Sequence, residues 1–223
     1  MMSEPTPRRR FLSWLGASSV LAASTSFVSR ADAQAAKPVD DKWDVSWTDR
    51  LPGKFKAVFD SPSVSEGAAL FRACIWRDQH KAVYGTPRTE ANAILVLRHA
   101  AIDLVMNDAY WNRFEIGKEL KLKDEKSKKW TKVNPLRAAA PEATGAFKEY
   151  NLTDFMASGG IVLACNLAFR SNVARYQTAD KLSAEAAAKV AKENVIPGII
   201  LQPSGIFAAL RAQEVGCNYV LAS

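Results

Sequence analysis

Residues 92–100 read NAILVLRHA, an unbroken apolar run closed by polar residues. A strand with one wet face alternates apolar and polar residues; an unbroken run is what a strand needs when helices cover both its faces, as in parallel sheets. Other strand segments are FKAVFDS (55–61), which alternates apolar and polar residues before a turn at Pro62, and IVLAC (161–165), GIILQ (198–202) and NYVLA (218–222). Segments of helical character separate them. Ala69, Leu70, Ala73, Cys74 and Trp76 follow helical spacing up to about Gly85, and Asn107 and Asp108 cap a helix expected to carry Tyr110, Trp111, Phe114 and Ile116 to about Leu122. A short helix near 152–158 stops at Gly159 and Gly160, and further helices begin near Leu167, at Ser183 and at Ser204. Strands alternating with helices predict an α/β three-layer sandwich with a mainly parallel sheet of about five strands.

The flanking regions set the context. Arg8, Arg9, Arg10, Phe11 and Leu12 form a twin-arginine signature, followed by a weakly apolar stretch and by ADA at 31–33. Gly16 and several serines interrupt that stretch, whereas a spanning helix needs about 20 apolar residues. The expectation is a signal peptide over 1–33, export to the periplasm and no membrane association after cleavage. Its removal takes four arginines and two acids, lowering the formal net charge from +7 to +5. Without an arginine-rich helix or an aromatic-interleaved basic stripe, that surplus does not indicate nucleic acid. Residues 34–54 read as an N-terminal arm on the domain surface and 55–223 as the domain, which carries a lysine-rich loop over 123–149 broken by Pro135, Pro141 and Gly145.

In open α/β sheets, ligands bind beyond the carboxyl ends of the strands, where loops and helix N-termini converge. That rule turns the strands into a list of candidates: Asp60 and Ser61, Arg98 and His99, Cys165 and Asn166, Gln202 and Ser204. Asp60, Asn166 and Ser204 equally suit caps or turns, and His99 a solvated loop. Cys165 closes its strand directly before a helix, with Arg170 one turn on; a helix N-terminus and a cation both favour thiolate, although unpaired cysteines are also often inert core residues. Cys74 lies on an apolar helical face, and Cys217 can be core or a disulfide partner. No cofactor is expected. DSPSVSEG has one glycine and no phosphate-binding spacing, and two histidines without C-x-x-C supply few metal ligands.

The segments VFDSPSVSEGAALF, AILVLRHAAIDLVMND with YWNRFEIGKEL, GGIVLACNLA and PGIILQPSGIFAALRAQEVGCNYV together resemble the DsrE/DsrF-like family over most of the chain after Phe55. The resemblance implies a small α/β protein that assembles as a homo-oligomer, a trimer or a multiple of it, and in some members relays sulfur as a cysteine persulfide. The segment VLACNLA places that role on Cys165 alone. The expected function is a periplasmic sulfur carrier or sulfurtransferase with a donor or acceptor protein as partner. The alternative is a non-catalytic oligomer that binds a small anion or serves assembly, with Cys165 inert.

Overall fold

The computed structural model describes residues 42–124, 126–138 and 150–223; the expected signal peptide lies outside them. Each expected strand segment is a strand: β1 (Phe55–Ser61), β2 (Ala91–Leu97), β3 (Ile161–Cys165), β4 (Ile200–Gln202) and β5 (Asn218–Leu221). They pair in the order β4-β3-β2-β1-β5, all parallel.

That order dictates the layers. The steps from β1 through β4 all move one way across the sheet, and right-handed crossovers place their connections on one face. That face holds α1 (Ala68–Tyr84), α2 (Asp108–Arg113), α3 (Ile116–Glu119), α4 (Leu152–Ala157), α5 (Asn166–Asp180) and α6 (Ala184–Glu193). Its core packs Phe59, Leu95 and Leu97 from the sheet against Leu70, Trp111 and Phe169. The step from β4 to β5 runs back across the sheet, so α7 (Gly205–Glu214) covers the opposite face.

On that second face Val58, Ile94, Val96, Ile161 and Leu163 meet Ala208 and Ala212 of α7. One helix is too narrow to cover five strands. Trp47, wholly buried within a 3-10 turn (Ser46–Arg50), Leu51 and Cys217 complete this core. Trp47 and Leu51 of the expected surface arm therefore pack inside, and burying a side chain as large as tryptophan stabilises by about 3 kcal/mol.

The helix expected to reach Leu122 is instead two helices. Ile116 stands about 140° around a continuous helix from Trp111, away from the core. Glu115 adopts φ 49° between α2 and α3, and Ile116 is thereby fully buried. Among the described residues no helix is long and apolar enough to cross a membrane.

Candidate functional site

The pairing register builds a row at the carboxyl edge of the sheet. Leu97 pairs with Ala164, and Cys165 with Gln202, so Arg98, Cys165 and Gln202 stand side by side. Side chains alternate along strands, and Val96, Leu163 and Ile200 face α7; two residues further on, the row faces α7 as well. Gly205, the first residue of α7, rests on Arg98: a Cβ there would lie 2.6 Å from Arg98 Cδ, so glycine permits this approach.

Arg98 does not point freely into solvent. Its Nε and Nη2 donate to Asp60 Oδ1 and Oδ2 at 2.7 and 2.8 Å, and Tyr219 Oη donates to Asp60 Oδ2 at 2.7 Å. Asp60 is 2% exposed, and these three hydrogen bonds compensate for burying its carboxylate. Hydrogen bonding to Asp60 holds the Arg98 guanidinium above its ordinary value, and burial with the Asp60 hydrogen bond pushes the Tyr219 phenol up. The arginine is thus anchored at the strand end and remains partly exposed.

Cys165 is the N-cap of α5. Its φ of −74° and ψ of 110° turn the chain from strand to helix, and Sγ accepts the Ala168 N–H at 3.4 Å. The residue is 7% exposed. Gln202 is fully buried, its Nε2 donating to Asp44 O at 2.6 Å and to Leu201 O at 3.2 Å, while Oε1 has no hydrogen-bond partner among the described residues.

The other candidates stand elsewhere or are otherwise engaged. Ser61 is buried and donates to Ser63 O at 2.8 Å, and Ser204 caps α7 by accepting the Phe207 N–H at 3.0 Å. Asn166 opens α5, half-buried beside the row. His99 is exposed, with φ 53°, where a 3-10 helix (His99–Val105) begins. Arg170 is exposed, five residues beyond Cys165 and so about 140° around the helix, which turns it away from the thiol.

All three cysteines are free. Burial pushes the Cys74 thiol up to about 12 and the Cys217 thiol to about 11, so both are neutral near pH 7. A second polar cluster went unnoticed in the sequence. Asp103, 7% exposed, accepts from Tyr110 Oη at 3.0 Å and Asn172 Nδ2 at 3.3 Å; Arg175 lies 3.9 Å from it and pairs with both Glu119 oxygens at 2.7 Å. This cluster lies on the six-helix face and ties α2, α3 and α5 together.

The chain matches no family model and no curated protein. The function is therefore argued from the site itself. Among the described residues no group of three or more His, Cys, Asp or Glu is placed to hold a metal ion. What the row offers is a cysteine at a helix N-terminus, flanked by an anchored cation and an amide, at the edge where parallel sheets bind ligands.

Proposed function

We propose that the protein is a DsrE/DsrF-like sulfur carrier of the periplasm that holds sulfur as a persulfide on Cys165. The observation that carries this reading is the Ala168 N–H donated to Cys165 Sγ at 3.4 Å at the start of α5. The amides and dipole of a helix N-terminus favour a negative charge placed there, which suits a persulfide anion. The sulfur cycle then balances without an external redox partner. Cys165 thiolate attacks the outer sulfur of a donor persulfide, the new S–S bond forms as the donor S–S bond breaks, and the donor leaves as thiolate. An acceptor thiolate attacks the outer sulfur in turn and releases Cys165 thiolate. Arg98, partly exposed beside the thiol, attracts the approaching anion. The family resemblance and the exposed apolar side chains of α7 and β5 support a homo-oligomer, a trimer or its multiple.

Intact-mass measurement after exposure to inorganic polysulfide tests this. The wild type should gain one sulfur, removable by dithiothreitol; Cys165→Ser should gain none, and Cys74→Ser and Cys217→Ser should gain it as before. A second reading, a binding or assembly protein with an inert thiol, draws on the 7% exposure of Cys165. Alkylation of Cys165 only after denaturation, together with no added sulfur, would decide for it.

A further inference from the structure

The lysine-rich segment after α3 takes no part in the row of Arg98, Cys165 and Gln202, and its described part is an ordered turn. Lys123 and Trp130 form an antiparallel bridge. The Thr131 N–H donates to Leu122 O at 3.0 Å, the Asp124 N–H to Lys129 O at 2.8 Å, and the Asp124 carboxylate accepts the Ser127 N–H at 2.6 Å. Beneath it, Gly117 of α3 lies so close to Thr131 that a Cβ would sit 2.1 Å from the Thr131 carbonyl oxygen.

Between this turn and α2–α3 runs an open groove of about 490 Å³, within the range of small-molecule sites. Lys118, Lys123, Lys128, Lys129 and Lys132 line it. Among the described residues Glu115 is the one acid lining it, 3.6 Å from Lys118. Among the described residues Lys123, Lys128, Lys129 and Lys132 have no carboxylate partner. Trp130 forms a wall, with Lys123 Nζ 5.0 Å from its ring centroid.

A merely solvated lysine run would spread its charges apart, since like charges held together oppose folding. Here backbone hydrogen bonds and the contact with Gly117 hold the turn against α3, so that five lysines line one groove. Lysine supplies compact, rotatable donors that fit phosphate or carboxylate without imposing a planar geometry. The charges converge on one pocket instead of tracking along a stripe, which suits a compact ligand over a long nucleic acid. We propose that this groove binds a compact polyanion, a small molecule bearing several phosphate or carboxylate groups, with Trp130 as its apolar wall.

Calorimetric titration of the full chain with inorganic tripolyphosphate and, separately, with citrate tests this and separates the two chemistries. At least one should bind saturably at one site, more weakly as salt rises. Lys128→Glu with Lys129→Glu should weaken binding about tenfold or more, whereas Lys189→Glu with Lys192→Glu on α6 should leave it unchanged. If the first pair fails to fold, Lys128→Gln with Lys129→Gln replaces it, with the same loss expected. No saturable binding of either anion at low salt, equal losses in both pairs, or binding of a single-stranded oligonucleotide that tripolyphosphate does not displace would each overturn the proposal.

Discussion

Asp60 is buried and acid, so its two partners are not of equal weight. Arg98→Met would leave the carboxylate with one hydrogen bond and no cation; because Arg98 is itself partly exposed, the loss should be about 2–4 kcal/mol, below that of a fully buried pair. Tyr219→Phe removes one hydrogen bond and should cost about 1 kcal/mol. Urea unfolding measures both, and an Arg98→Met protein as stable as the wild type would contradict this account. The positions of Asp60, Arg98, Cys165 and Gln202 were legible in the sequence because each stands at the end of a strand segment. Tyr219 was not, since its contact with Asp60 exists only because β5 returns to lie beside β1. His99 and Arg170 were equally legible by position, and both are exposed, His99 where a 3-10 helix begins and Arg170 five residues along α5 from Cys165.

Among the elements, the joint between α2, α3 and α5 turns on Asp103. Burial pushes its carboxyl up, against the pull of Arg175, Tyr110 and Asn172. From the unfolded value of about 3.9 up to that raised value, the folded state binds more protons, so this group costs stability as pH rises. Glu119 works in the opposite sense: its hydrogen bond to Arg175 holds it low, and its contribution is lost as pH falls. Asp103→Asn retains an acceptor for Tyr110 and Asn172 and isolates the first effect. Melting curves should show the variant gaining on the wild type as pH rises from about 4 to about 7; a constant gap would refute this. Gly117→Ala is a second test at this scale. Alanine favours a helix by about 1 kcal/mol, but its Cβ would strike the Thr131 backbone, an overpacking that costs about 1–3 kcal/mol. The clash should win, lowering the melting temperature and weakening polyanion binding together. The sequence showed the lysines but not their convergence, which depends on that contact.

For the molecule as a whole, the α/β sandwich was legible because strand segments alternate with helical ones and the central strands β2 and β3, covered on both faces, run apolar without interruption. Strand order was not, and with it went the fact that among the described residues α7 and the Trp47 segment close the second face. Tyr219, Val220 and Leu221 on the edge strand, and Ile206, Phe207 and Leu210 on α7, remain exposed. An uncharged apolar edge of this kind invites another chain. Light scattering should return a multiple of the monomer mass, and Val220→Lys should lower it; monomer at every concentration would reject assembly. The lopsided covering has another consequence. Because the first residue of α7 rests on Arg98, fraying of this one short helix should loosen the cover of the row that holds Cys165 while the six helices behind the sheet stay folded. Amide exchange along 205–214 and alkylation of Cys165 should then quicken together, so that the breathing of a single helix meters how often the thiol is offered to another molecule.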